Sequence, residues 1–403
     1  MKILIINQHT QNHGDEAACL ALVRRLLAAG YSDITVSYNT PCCMEDIFFI
    51  HEARVKQIKN NFYPRGVGRI LRLYLRRPNL LTRLMAFSLR RIRADYQLIK
   101  SADVIINAPG GINMGRYRDN LYVWRLKTAL DLGKHVIMYS SSIGPFDMEE
   151  YFVNISRDIL RRVDFLSLRD AQSCRYAEEM GRKAIGSIDT AFLMRPTTEL
   201  PPELQLPPSY VVIVPHQLYA WHPQFLAMKR EKLDHFYKKL LERFAGQGIP
   251  LVLLPQIFAH PQVNDENYFK SLASGYSNIQ VISSRYCSDI QQKIISGADF
   301  LIGARYHSTV FAINNVVPFY SLSYEHKMTN MLETLLLKDC CMAIADAIAS
   351  PDAAIDMIFE KYRNRSSQLA ALKQASERAK TIASETFDKM NQCLVHYQHG
   401  PVL

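Results

Sequence analysis

The chain has 403 residues, 48% of them hydrophobic and 21% charged, and its 48 Lys and Arg outweigh 38 Asp and Glu to give a formal charge of +10. That length allows two or three domains, each able to bury its own core, and the composition excludes a disordered or collagen-like chain. No apolar run reaches the roughly 20 residues of a membrane span, and the cationic excess points to an anionic partner.

The opening residues Met1 to Asn7 are too short and polar-bounded for a signal peptide and predict a first strand over 2–7. The expectation is a cytoplasmic chain. A helical pattern follows over 15–29 and a strand over 34–38. After an irregular stretch the alternation resumes with a strand over 103–107, a helix over 119–132 and a strand over 135–140. Next come a helix over 149–161, a strand over 163–168, a helix over 171–180 and a short strand near 184–187. Strands separated by helices of this length predict right-handed crossovers and a parallel sheet. Eight cysteines are scattered, and the vicinal pairs Cys42-Cys43 and Cys340-Cys341 match neither a disulfide framework nor a zinc site.

Pro196, Pro201, Pro202, Pro207 and Pro208 mark a linker, because proline continues neither regular element. Beyond it the pattern predicts strands over 210–214, 251–254, 279–282, 300–302 and 319–322. Helices are predicted over 224–245, 264–273, 288–296, 309–314 and 327–336. The expected fold is α/β: two Rossmann-like doubly wound domains facing across a cleft, in a GT-B-like arrangement. The boundaries are 1–195, a proline-rich linker at 196–209, a second domain at 210–345 and a helical tail at 346–403.

One stretch of the first domain departs from the alternation. Residues 61–94 hold nine arginines from Arg65 to Arg93 without an acidic residue, interleaved with Leu71, Leu73, Leu75, Leu80, Leu81, Leu84, Met85, Phe87 and Leu89, and Pro78 divides two helical pieces. A basic amphipathic insert of this kind suits an anionic membrane surface. It equally suits a surface helical hairpin whose arginines are solvated or pair with acids elsewhere. No nucleic-acid-binding module accompanies the charge, and no nucleic-acid partner is expected.

Open parallel sheets bind ligands beyond the carboxyl ends of their strands. The first strand leads into Asn12-His13-Gly14-Asp15-Glu16-Ala17, where one glycine is too few for a dinucleotide fingerprint. It remains a strand-to-helix turn able to hold an anion, with Asp15 either functional or a first-turn acid. The next strand ends carry Pro109-Gly110-Gly111, then Ser140-Ser141-Ser142-Ile143-Gly144-Pro145-Phe146, then Arg169-Asp170 with Ser173. In the second domain Gly303-Ala304-Arg305-Tyr306-His307-Ser308 sets an arginine and a histidine at a strand end. Ser323-Tyr324 and Lys327 add a cation to the same edge.

In this order, together with Asp189-Thr190-Ala191-Phe192 and Pro318, these motifs resemble the polysaccharide pyruvyl transferase family from about residue 3 to 337. Ile112 stands where a third small residue is usual and Thr190 where proline is common, and the arginine-rich insert has no counterpart. The resemblance implies transfer of the enolpyruvyl unit of phosphoenolpyruvate to two sugar hydroxyls, forming a pyruvate ketal during exopolysaccharide, capsule or cell-surface glycan biosynthesis. It implies that Arg169 and Arg305 grip the donor's phosphate and carboxylate, with Lys327 in support. His307 would be the general acid and Asp15 the base or acceptor-orienting group. Asn12, Gly14, Gly110, Gly111 and Ser142 would line the substrate site. No metal or redox cofactor is called for. The acceptor is a saccharide, lipid-linked, nucleotide-linked or free, and a lipid-linked one would match peripheral attachment to the inner face of a membrane. Two other readings share these features: a GT-B nucleotide-sugar glycosyltransferase, and a non-catalytic membrane-associated subunit of a glycan assembly complex.

Overall fold

The structure is a computed structural model that describes residues 1–9, 12–38, 50–58, 66–111, 114–196, 199–220, 222, 225–258 and 264–399. Cys42-Cys43, Arg65, Ile112, the start of the arginine-rich stretch at 61 and the expected helix start at 224 lie outside the described residues. The chain divides into two compact units. One holds Met1–Thr10, Ala18–Leu193 and Ile382–Leu403, and the other holds Gln11–Ala17 and Met194–Thr381.

The first unit is built on β1 (Ile3–Gln8), α1 (His13–Ala28) from Ala18 onward, β2 (Ile34–Tyr38), β3 (Lys56–Ile58), α2 (Val67–Arg76), α3 (Leu80–Ser88) and α4 (Arg90–Ser101). It continues with β4 (Val104–Asn107), α5 (Asn120–Asp131), β5 (His135–Ser141), α6 (Glu150–Arg162), β6 (Phe165–Leu168), α7 (Ala171–Glu179) and β7 (Ile185–Gly186). The strands pair in parallel in the order β3-β2-β1-β4-β5-β6-β7. Strands β1, β4 and β6 are buried along their whole length, which is why they read as apolar runs rather than alternating ones. Helix starts follow local chemistry: Asp119 caps α5 by accepting from the N–H groups of Leu121 and Tyr122, and Asp170 caps α7 by accepting from Ser173 N.

The arginine-rich stretch forms three helices, breaking at Leu89 as well as around Pro78. It is not a simple surface hairpin, because Val67, Leu71, Leu75, Ala86, Ile92 and Ile99 share one core with Leu4, Ile6, Ile105 and Trp124. Arg91 is one of the arginines that pair with an acid rather than stand in solvent. It is buried, its Nε donates to Asp95 at 3.0 Å, and Arg125 Nη2 donates to the same Asp95 oxygen at 2.8 Å. The carboxylate thus ties α4 to α5 through two buried guanidinium groups.

The second unit repeats the plan with β8 (Val211–Val214), α8 (Arg230–Ala245), β9 (Leu251–Leu253), α9 (Asp265–Ala273), β10 (Ile279–Val281), α10 (Ser288–Ser296) and β11 (Phe300–Gly303). Then come α11 (Tyr306–Asn314), β12 (Phe319–Ser323), α12 (His326–Thr334), β13 (Cys341–Ala343), α13 (Ile344–Ala349), α14 (Pro351–Arg363) and the first part of α15 (Leu369–His399), which from Ile382 onward belongs to the first unit. Its sheet is also parallel, in the order β10-β9-β8-β11-β12-β13. Val211, Ile213, Leu251, Phe300 and Ile302 meet Phe236, Leu240, Phe269, Ile355 and Ile358 in its core. In this unit two helix starts differ from the sequence pattern by three residues or more, and one strand is new. Helix α8 starts at Arg230 rather than 224, since Phe225 to Met228 turn instead. Helix α11 starts at Tyr306 rather than 309, which brings His307 into its first turn. Strand β13, three residues long, carries no periodic signal of its own. Among the described residues no helix is long and apolar enough to cross a membrane.

Candidate active site

Arg305 lies two residues beyond the end of β11 and immediately before α11. The residue is 4% exposed, and its guanidinium is held at both ends. Nη2 donates to Asp265 Oδ1 at 2.5 Å, and Nη1 lies 2.8 Å from Nε2 of His216. A guanidinium can only donate, so His216 accepts at Nε2 and any ring proton sits on Nδ1. Burial, then the charges of Arg305, Lys327 and His222, hold the His216 imidazole well below its ordinary pKa, in keeping with a neutral acceptor. The buried Nε of Arg305 has no hydrogen-bond partner among the described residues. Asp265 in turn accepts from the backbone N–H groups of Gln256 and Ile257.

That segment carries the N-terminus of α1. His13 N donates to Gln256 O, and Asn12 bridges Ile257. Asn12 Oδ1 accepts from Gly14 N at 2.8 Å, and its Nδ2 donates to Asp15 Oδ2 at 3.1 Å. Gly14 lies directly against the ring of His307. His307 is 6% exposed, between that glycine and Tyr306, whose ring centroid is 5.1 Å away. The structure therefore brings Asn12, Gly14, Asp15, Arg305 and His307 into one unit, linked through Asp265.

Lys327 belongs to the same edge. Its Nζ lies 2.8 Å from Glu325 Oε2 and over the rings of Tyr306 and Tyr324 at 5.9 and 5.7 Å. His222 Nε2 lies 3.2 Å from the other oxygen of Glu325. Burial alone would raise the Glu325 pKa, but the Lys327 charge and the hydrogen bonds from His222 and Lys327 hold the carboxyl well below the usual range. A second buried acid–imidazole pair sits in α1. His13 Nδ1 is 2.8 Å from Glu16 Oε2, and Nε2 is 2.7 Å from the Ser284 carbonyl. Both neighbours are acceptors. The pair must therefore carry either an imidazolium or a protonated carboxyl.

In the first unit, Arg169 follows β6 and is likewise 4% exposed. It is paired with buried Asp189, and its Nε donates to Ser142 Oγ at 2.9 Å. Neither arginine is an open surface charge; each is oriented by a buried aspartate. Ser142 Oγ and Ser173 Oγ both donate to Asp170 Oδ2, at 2.7 and 2.8 Å. Gly110 and Gly111 adopt positive φ of 115° and 26°, and Gly110 pairs with Ser141, which sets the glycine turn beside the serine loop. Ser140, the penultimate residue of β5, has a φ of 45°, a strained backbone of the kind that collects at ligand sites.

The sequence model of the polysaccharide pyruvyl transferase family matches residues 12–326. The chain belongs to this family. Membership makes it a transferase of polysaccharide biosynthesis. The chain is similar to the amylovoran biosynthesis protein AmsJ of Erwinia amylovora, at 22% identity over 398 residues, covering 92% of this chain and 95% of AmsJ. Among solved structures it resembles the UDP-GlcNAc 2-epimerase of Methanocaldococcus jannaschii, with a TM-score of 0.58, 13% identity and coverage of 98% of this chain and 100% of that one. It also resembles MurG of Acinetobacter baumannii, with a TM-score of 0.53, 13% identity and coverage of 97% and 100%. These likenesses establish a GT-B-type fold and nothing about substrate.

His216, Asp265 and His222 are site residues that the sequence motifs do not single out. For His216 a signal exists: Val211–Val214 is a strand followed by Pro215-His216, the same strand-end position that marks Arg305. Asp265 reads only as an acid in the first turn of a helix.

Proposed function

We propose that the protein transfers the enolpyruvyl unit of phosphoenolpyruvate to two hydroxyls of a saccharide, forming a cyclic pyruvate ketal and releasing phosphate. The observation that carries this reading is Arg305, fixed between Asp265 and His216 with an unpartnered Nε–H, two residues from a histidine packed on Gly14. A planar guanidinium held in one orientation suits the carboxylate or phosphate of the donor.

In this mechanism His307, as imidazolium, gives its proton to the methylene carbon, and C2 acquires oxocarbenium character. A sugar hydroxyl adds to C2 and passes its proton to Asp15. The C2–O bond to phosphate then breaks, with Arg305 and Lys327 stabilising the departing charge. The second hydroxyl adds to C2 and closes the ketal. One hydroxyl proton replaces the one spent on carbon and the other leaves on phosphate. Arg169, oriented by Asp189, is assigned a second guanidinium role in the same reaction, with Asn12, Gly14, Gly110, Gly111 and Ser142 as substrate-binding positions. The reaction as written draws on no cofactor. A lipid-linked saccharide is the acceptor that best matches the arginine-rich helices, and with it a peripheral place at a membrane.

The test is incubation of the purified protein with phosphoenolpyruvate and candidate glycans. Release of inorganic phosphate, with an acceptor mass gain of one pyruvate less water, is the expected outcome. Release of a nucleoside diphosphate from a sugar nucleotide, with no use of phosphoenolpyruvate, would replace this reading with a glycosyltransferase. Binding of phosphoenolpyruvate without turnover on any acceptor would favour a non-catalytic subunit.

A further inference from the structure

Helix α3 is built inside out. Its buried positions are Thr82 and Ala86, one turn apart, whereas Leu80, Leu81 and Leu84 are 75%, 67% and 61% exposed and Met85 is also exposed. Thr82 closes a capping box with Asn79: its N–H donates to Asn79 Oδ1, and its hydroxyl lies 3.1 Å from Asn79 N. Local hydrogen bonds therefore turn the polar residue inward and set the leucine face outward. Scattered exposed leucines are ordinary, but several adjacent ones on one helix face are not.

The charge around that face is of one sign. Arg76 and Arg77 precede the helix, Arg83 lies within it and Arg90 follows it, all exposed. Every residue from Arg76 to Leu81 is exposed, so the turn between α2 and α3 presents cations and leucines together. Other arginines of the stretch are turned to protein: Arg91 pairs with Asp95, Arg72 with Glu149, and Arg93 donates to the carbonyls of Phe87 and Ser88 at the end of α3, while Arg83 lies over the Phe87 ring at 5.8 Å. Behind the face, Val67, Leu71, Leu75 and Ala86 anchor α2 and α3 in the core of the unit. The apolar face is thus presented by a fixed scaffold.

We propose that the outer face of α3, with the α2–α3 turn, seats the protein on an anionic lipid bilayer. Leu80, Leu81, Leu84 and Met85 enter the acyl boundary, while Arg76, Arg77, Arg83 and Arg90 meet lipid phosphates. Guanidinium groups bind phosphate oxygens bidentately, and burial in the acyl boundary removes the leucines from water. This assignment goes beyond the ketal-forming reading and holds whatever the donor.

The test is sedimentation of the full chain with vesicles of phosphatidylcholine alone and with vesicles that also contain phosphatidylglycerol, at low and high salt, without phosphoenolpyruvate or acceptor. The wild-type chain should bind only the anionic vesicles and lose binding as salt rises. Triple substitution Leu80→Ser/Leu81→Ser/Leu84→Ser should abolish binding while leaving the melting temperature in place, since these side chains touch little of the core. Arg76→Gln/Arg77→Gln/Arg83→Gln should weaken it about 100-fold. No binding by the wild-type chain, or binding undiminished in the leucine variant, would overturn the proposal. So would a wild-type dimer in solution that the leucine substitutions convert to monomer without any vesicle binding, since a second copy would then cover the face.

Discussion

A Cβ placed on Gly14 would lie 1.8 Å from Nδ1 of His307 and 2.1 Å from its Cγ. The backbone at the start of α1 and the imidazole at the start of α11 occupy adjoining space with no room for a methyl group. Gly14 is therefore required for close approach, not for turn conformation. Gly14→Ala should displace the ring, cost about 1–3 kcal/mol of stability and lower phosphate release from phosphoenolpyruvate by about 100-fold. Because the effect runs through the ring, His307→Ala and the double variant Gly14→Ala/His307→Ala should turn over at the same residual rate. Additive losses in that cycle would separate the two residues.

The proton-transfer role of His307 is read from rate and binding together. His307→Gln should reduce turnover by about 10²–10⁴ while phosphoenolpyruvate still binds. Arg305→Lys should do the reverse in emphasis, weakening donor binding by tenfold or more, because an ammonium cannot reproduce the fork that Asp265 and His216 hold. Near-normal turnover in His307→Gln, measured under saturating donor, would remove the assignment.

His216 predicts a pH dependence of stability. Its folded pKa is depressed, by burial first and then by the charges of Arg305, Lys327 and His222. An unfolded imidazole titrates near pH 6.5. Below that value the unfolded chain takes up a proton that the folded one refuses. Stability from this group is complete above about pH 6.5 and falls by up to about 1.4 kcal/mol per pH unit below it, until the folded pKa is reached. Thermal melts between pH 7 and 5 should show a shallower decline in His216→Gln than in the wild-type chain. Equal slopes would mean that the imidazole already carries its proton when folded.

Arg169 and Asp189 separate a structural from a functional contribution. Removing one partner, as in Asp189→Ala, strands a buried guanidinium and should cost about 3–5 kcal/mol by urea unfolding. Replacing both, as in Arg169→Met/Asp189→Leu, should recover most of that stability and none of the activity. Recovery of turnover in the double variant would reduce the pair to packing.

The architecture was legible because its strands are short apolar runs between helical periods. Met1 to Asn7, Val104–Asn107, Val211–Val214 and Phe300–Gly303 are recognisable in the sequence, and the strand-end rule then points to Arg169, Arg305 and Lys327. The edge strands Lys56–Ile58 and Cys341–Ala343 were not legible, since three residues carry no period and pairing with a neighbour defines them. Nor was the start of α11, where Arg305 and Tyr306 read as loop until the helix is seen to begin there.

Sequence alone determined two doubly wound αβ units, the family motifs and an arginine-rich stretch without acids, because periodicity, turn residues and charge are local properties. Tertiary structure alone decided which charges are buried and with whom. Arg91 and Arg125 share Asp95, Arg305 is held by Asp265 and His216, and the leucines of α3 face outward while Thr82 faces in. These partners lie far apart along the chain or on faces that only packing selects, and the protonation of a buried imidazole depends on charges that the fold brings beside it.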